Sequence, residues 1–178
     1  MRVAFDVDGV LRDLMSVYAP LVGAAVGDIN TYDKAAELAG GSAVFLQSLD
    51  EHHCWTQAAP YPDMAAFCRE LNQTMEVVII TAQVSAQAQR ETLAWLHDHG
   101  IPRTEVHFCV DKLRVAFDAI IEDRPETALA AAKAGKAAFL VRRPWTLDTP
   151  RRRNLFLLPP DAEAGAIVCE VLASRSKK

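Results

Sequence analysis

The 178-residue chain has no stretch near the roughly 20 consecutive apolar residues that span a bilayer, so a transmembrane segment is not expected. Acids arrive at Asp6 and Asp8 before any apolar run develops. No signal peptide is therefore expected, and a cytoplasmic location is. There are four cysteines, Cys54, Cys68, Cys109 and Cys169, all in or near apolar segments and none in a C-x-x-C pair. That usage predicts a reduced protein with buried thiols. His52-His53-Cys54 lacks a second Cys/His cluster that would complete a four-ligand soft-metal site. Repeats, low-complexity tracts and a Walker A phosphate loop are all missing. A basic excess is missing too: 19 Lys and Arg stand against 23 Asp and Glu, a net charge of −4. That balance excludes a general nucleic-acid coat protein, whose surface must attract phosphates.

What is present is ordinary in amount, with 51% hydrophobic and 24% charged residues, enough to bury one core. The length fits one compact domain with room for a small insertion. The charge is unevenly spread. Residues 1–137 hold 11 basic and 19 acidic side chains, whereas residues 138–178 hold 8 and 4.

Short apolar runs predict strands at Val3 to Asp6, Val77 to Thr81, Val106 to Val110, Ala119 to Glu122 and Ala138 to Val141, with a sixth at Leu155 to Leu158. Runs without alternation suit strands covered on both faces, as in a parallel sheet. Helices are predicted over Pro62 to Asn72, Ala86 to His99, Glu126 to Ala134 and Asp161 to Ser174. In the second of these, Leu93 and Leu96 are expected to share the buried side. Strand and helix alternate, which implies an α/β fold with a Rossmann-like doubly wound parallel sheet. Residues 12–60 break that rhythm with helical pieces such as Ala43 to Glu51 and no strand. They read as a small helical cap over the C-terminal sheet edge, and residues 1–11 and 61–178 as the catalytic core.

Chemistry concentrates at predicted strand ends. Phe5-Asp6-Val7-Asp8-Gly9-Val10-Leu11 places two acids after an apolar strand, with Gly9 permitting a sharp turn. Ile120-Ile121-Glu122-Asp123-Arg124-Pro125 does the same before a helix. In a parallel sheet these four acids converge on one edge, and such a group needs a divalent cation, for which oxygen ligands suit Mg²⁺. Ile79-Ile80-Thr81-Ala82 offers a hydroxyl and backbone N–H groups for a phosphate oxygen. Lys112 offers a point charge. Each feature alone has a plain structural explanation: a turn, a cap or a surface charge. Together, in this order and each at a strand end, they have no plain structural explanation.

This set resembles the haloacid dehalogenase (HAD) superfamily of phosphatases and phosphotransferases over most of residues 1–145. Asp6-Val7-Asp8-Gly9-Val10 matches its first motif, Thr81 the second, Lys112 the third and Glu122-Asp123 the fourth. The resemblance implies a nucleophile at Asp6, forming an aspartyl-phosphate, and a general acid and base at Asp8. It implies Mg²⁺ held by Asp6, the Asp8 backbone carbonyl and Asp123, with Glu122 acting through water. Phosphate oxygens would meet Thr81, Lys112 and the backbone around Val7, Asp8 and Ala82. The acid at position 8, which dehalogenases of the superfamily lack, favours phosphate esters. The insertion takes the position of the superfamily's C1 cap, which suits a small substrate.

Ile121-Glu122-Asp123-Arg124-Pro125 together with Leu140-Val141-Arg142-Arg143-Pro144-Trp145-Thr146 is similar to bacterial and phage relatives of the 5′(3′)-deoxyribonucleotidases. The expected function is therefore a Mg²⁺-dependent hydrolase of nucleoside monophosphates, as a monomer or homodimer without membrane partners. Aromatic candidates for stacking on a base are Tyr18, Phe45, Trp55 and Tyr61, each of which also suits a core. Arg12 and Arg143 are candidates for a phosphate or sugar. A second relative is the phosphatase domain of phage polynucleotide kinase. The alternatives are thus a polynucleotide 3′-end phosphatase using Arg142, Arg143 and Arg151 to Arg153, or a phosphatase or phosphotransferase on another phosphometabolite. A non-catalytic scaffold is a third reading, disfavoured by the intact motif set.

Overall fold

The computed structural model describes residues 1–178 except 30, 31, 103, 177 and 178. Six strands form one sheet: β1 (Arg2–Phe5), β2 (Glu76–Thr81), β3 (Val106–Phe108), β4 (Ala119–Glu122), β5 (Ala137–Val141) and β6 (Leu155–Leu158). Their order is β3-β2-β1-β4-β5-β6 and every pair is parallel. Parallel neighbours need crossovers, and helices supply them. The crossovers include α5 (Pro62–Leu71), α6 (Ala86–Asp98) and α7 (Pro125–Lys133), while α8 (Glu163–Ser176) follows β6 at the end of the chain. The expected α/β doubly wound sheet is the fold observed.

The central strands carry side chains buried on both faces, which explains their lack of alternation. Phe5, Ile79, Ile121 and Phe139 face one apolar cluster with α5 and α8, while Ala4, Val78, Ile120 and Leu140 face the other with α7. Pro62 and Pro125 start α5 and α7, where the missing N–H costs no helical bond. Ser85 caps α6 by accepting from the Ala88 N–H at 2.9 Å. Leu93 departs from expectation: it is exposed, and α6 buries Ala88, Thr92, Trp95 and Leu96 instead. The four cysteines are free, but only Cys54 and Cys68 are buried and Cys169 is exposed, which corrects the expectation of buried thiols.

Between β1 and α5 the chain forms α1 (Leu14–Leu21), α2 (Tyr32–Ala39), α3 (Ser42–Glu51) and the single turn α4 (Cys54–Gln57). These helices hold their own apolar cluster, including Leu14, Tyr18, Phe45, Leu49 and Trp55. The two ends of the insertion lie side by side. The Asp13 N–H donates to Ala59 O and the Tyr61 N–H to Leu11 O, each at 2.8 Å. The insertion thus leaves and re-enters the core at one stem, beside the C-terminal ends of β1, β2 and β4.

Candidate active site

Parallel strands put their C-terminal ends on one edge, and β1, β2 and β4 deliver Asp6, Thr81 and Glu122-Asp123 there. Asp6 is almost wholly buried. Its Oδ1 accepts from the Val7 N–H at 2.7 Å and its Oδ2 lies 2.7 Å from Lys112 Nζ. Lys112, in a 3-10 turn over Lys112–Arg114, also donates to Glu122 Oε2 at 2.7 Å. The other Glu122 oxygen accepts from the Arg124 N–H at 3.1 Å. Lys112 therefore bridges two carboxylates without exposure to water, a buried pair that needs this geometry to offset desolvation.

Asp123 is fully buried and differs from Glu122 in a telling way. Its Oδ2 accepts from Trp145 Nε1 at 3.0 Å and from the Tyr32 hydroxyl at 3.4 Å, whereas Oδ1 is buried without a partner. Such an orphan acceptor is costly and fits a cation ligand. Oxygens of Asp6, Glu122 and Asp123 all lie within 4.8 Å of one another. This hard, anionic donor set suits a divalent cation of the Mg²⁺ kind. Glu122, with both oxygens already engaged, is the weaker direct ligand. Gly9 makes the cluster possible. Its φ is +77°, and a Cβ there would sit 1.9 Å from Asp123 Oδ2.

The electrostatics follow from burial. Desolvation and then the Glu122 charge raise the Asp6 carboxyl to about 7, against the lowering effect of Lys112. Asp123 is raised well above the ordinary range by burial, Asp6 and Glu122. Burial alone would lower Lys112, but Asp6 and Glu122 outweigh it and keep the ammonium charged.

Asp8 leaves the same turn toward the insertion. Its Oδ1 accepts from Arg12 Nε at 2.8 Å and its Oδ2 from Gln83 Nε2 at 2.7 Å. Asp6 and Asp8 both open on a cavity of about 240 Å³. Thr81, Ala82 and Gln83 line it from the core, and Phe45, Leu49 and Trp55 from the insertion. Lys112 sits behind Asp6. The Val7 N–H, expected to face phosphate, is already spent on Asp6.

The substrate candidates separate. Phe45 and Trp55 line the cavity. Tyr18 is wholly buried in the insertion core, edge-on to Phe45 at 4.7 Å, with its hydroxyl donating to Ala35 O. Arg12 is wholly buried behind Asp8. Arg143 is not a cavity residue either: its Nε donates to Gly9 O at 2.7 Å and its guanidinium lies 3.6 Å from the Tyr61 ring centroid, bracing the first-motif turn. Tyr61 is held there and by a 2.9 Å bond to Asp13. The basic end is also divided. Arg142 and Arg143 follow β5 at the site's edge. Arg152 and Arg153 precede β6 and line a separate groove with Lys133 and Arg175, at the opposite edge of the sheet. Gln83 and Tyr32 are site residues that sequence reasoning missed. Gln83 lies two residues past Thr81 and was open to detection by that spacing, whereas no local signal marks Tyr32.

A parallel Rossmann-like sheet with paired acids at the ends of β1 and β4, a Thr ending β2 and a buried Lys defines a HAD-type phosphatase. Residues 1–142 match the family described as 5′ nucleotidase, deoxy (pyrimidine), cytosolic type C protein (NT5C), and the chain belongs to that family. The fold is shared with a hydrolase from Pseudomonas syringae (TM-score 0.57, 13% identity, covering 95% of this chain and 97% of that one). It is shared as well with a haloacid dehalogenase-like hydrolase from Bacteroides fragilis (0.58, 15%, 87% and 95%). The L-2-haloacid dehalogenase from Xanthobacter autotrophicus is a third (0.57, 14%, 94% and 98%). No curated protein matches by sequence. Among the described residues, no helix is long and apolar enough to cross a membrane.

Proposed function

We propose that the protein is a Mg²⁺-dependent phosphomonoesterase of nucleoside monophosphates, working in the cytoplasm through an aspartyl-phosphate at Asp6. One observation carries this reading. Two carboxylates from a single turn open on one cavity with separate partners, Asp6 against Lys112 and Asp8 against Arg12 and Gln83. That is a division of labour between nucleophile and proton-transfer group.

In the first displacement Asp6 attacks phosphorus, the ester P–O bond breaks, and its electron pair goes to the leaving oxygen, which takes a proton from Asp8. In the second, Asp8 accepts a proton from water as the water oxygen attacks phosphorus. The Asp6–phosphorus bond then breaks, releasing phosphate and restoring both acids. Thr81 and the Ala82 backbone orient the transferring oxygens, and Lys112 neutralises Asp6. Asp6, Asp123 and the Asp8 carbonyl would hold Mg²⁺, which when bound supplies positive charge against the repulsion between nucleophile and phosphate. The residues 12–60 act as the cap, excluding water and presenting Phe45 and Trp55 to the base.

The NT5C description supports both a nucleotide substrate and the cytosolic location. The acid at position 8 favours a phosphate ester over a halide. The placement of Arg152 and Arg153 across the sheet from Asp6 weighs against a polynucleotide end. The test is phosphate release from a panel of nucleoside monophosphates with Mg²⁺. Turnover that vanishes in Asp6→Asn supports the reading, and turnover no greater than that of the variant overturns it.

A further inference from the structure

Arg12 is a charged side chain with no exposure to water. Each of its guanidinium nitrogens has one partner, and the three partners belong to three parts of the molecule. Nε donates to Asp8 Oδ1 at 2.8 Å, Nη1 to Trp55 O at 2.5 Å and Nη2 to Thr92 Oγ1 at 3.1 Å. The guanidinium also lies between two indoles, 5.4 Å from the ring centroid of Trp55 in α4 and 5.2 Å from that of Trp95 in α6. Trp95 in turn donates to Ala58 O at 2.7 Å, at the end of the insertion.

We propose that Arg12 is a positioning residue. It fixes the direction of the Asp8 carboxylate from an anchorage on the helical insertion and on α6, so that seating the insertion and aligning the proton-transfer group are one event. This inference rests on the phosphatase reading above. Asp8 shares its turn with Asp6 and its charge acts on Asp123, so like charges would disturb the direction of a free carboxylate. Arg12 supplies the balancing charge, and its planar fork, anchored at three points, holds the carboxylate in one direction, which a lysine cannot do. Gln83 completes the clamp on Asp8 Oδ2. Arg12 does not line the cavity, so its effect on substrate passes through Asp8.

The test uses the dependence on the leaving group. An alkoxide, as from a nucleoside 5′-monophosphate, needs a proton to leave, whereas p-nitrophenolate does not. The kcat/KM of each ester, which covers the steps through departure of the leaving group and not the shared second displacement, is measured for the parent protein, Asp8→Asn, Arg12→Lys and Gln83→Met. Arg12→Lys is expected to lower kcat/KM on the nucleotide by about 10²-fold and on p-nitrophenyl phosphate by about tenfold less. Gln83→Met is expected to act in the same direction, more weakly. Equal losses on the two esters in both variants overturn the proposal, because loss of fold lowers both alike. Should Arg12→Lys fail to fold, Gln83→Met decides by the same ratio. If Asp8→Asn itself loses kcat/KM on both esters equally, the role of Asp8 as proton donor to the leaving group falls. That outcome is distinct from failure of the clamp alone.

Discussion

The sheet edge and the helical insertion build the two walls of one cavity by different physics. The edge gathers Asp6, Glu122 and Asp123 with a single lysine, and burial makes their repulsion severe. Its geometry is set by strand register and by the space Gly9 leaves. The insertion supplies aromatic and aliphatic surface, and its polar links to the core include Arg12, Tyr32, the Trp95 bond to Ala58 O and the stem at Asp13 and Tyr61. Under the proposed function, the edge would store electrostatic cost that a cation relieves, while the insertion would offer apolar surface for a substrate to cover. That reading assigns reactivity to the first wall and selectivity to the second.

The sharpest break in that comparison is Asp6→Asn, expected to lower kcat by at least about 10³-fold with the fold intact by circular dichroism. A smaller loss would move the nucleophile elsewhere. Lys112→Met comes next, since it leaves Asp6 and Glu122 buried without their cation. It should destabilise the protein by about 3–5 kcal/mol in denaturant titration. Gly9→Ala places a Cβ against Asp123 at positive φ and should cost about 1–3 kcal/mol while weakening Mg²⁺ binding in calorimetry.

The pH dependence of stability tests the edge directly. With its pKa raised from 3.8 to about 7, Asp6 binds more proton in the folded than in the unfolded state across that window. Its contribution to the metal-free protein is thus fully present at low pH and lost as pH rises toward 7. Melting temperature is expected to fall over this range without metal, and added Mg²⁺ to offset the fall near pH 7. The smallest effects belong to the insertion. Phe45→Ala should raise KM for a nucleotide by the equivalent of about 1–3 kcal/mol with little change in kcat. Tyr32→Phe, losing only a 3.4 Å bond, should change stability by about 0.5 kcal/mol.

The strands were legible because a sheet covered on both faces needs unbroken apolar runs, and all six lie within a few residues of their expected places. The four motifs were legible because parallel strands bring their ends to one edge. Arg12, Tyr18 and Arg143 were open to misreading as substrate contacts, since residue type alone does not say which way a side chain faces. Arg12 turned inward to Asp8, Tyr18 into the core of the insertion, and Arg143 to the Gly9 carbonyl. Leu93 faces solvent because Trp95 and Thr92 claim the inner side of α6.

The sequence by itself determined the sheet, the strand ends that carry Asp6, Thr81 and Asp123, and a helical insertion between the first two. These follow from local periodicity and from chain order, which parallel topology converts directly into position. Only the tertiary structure decided which partner each charge takes. Asp6 met Lys112, Asp8 met Arg12 and Gln83, and Asp123 kept one oxygen bare. Those pairings join residues as far as 106 positions apart, between Asp6 and Lys112, and are fixed by packing distances that no local pattern encodes.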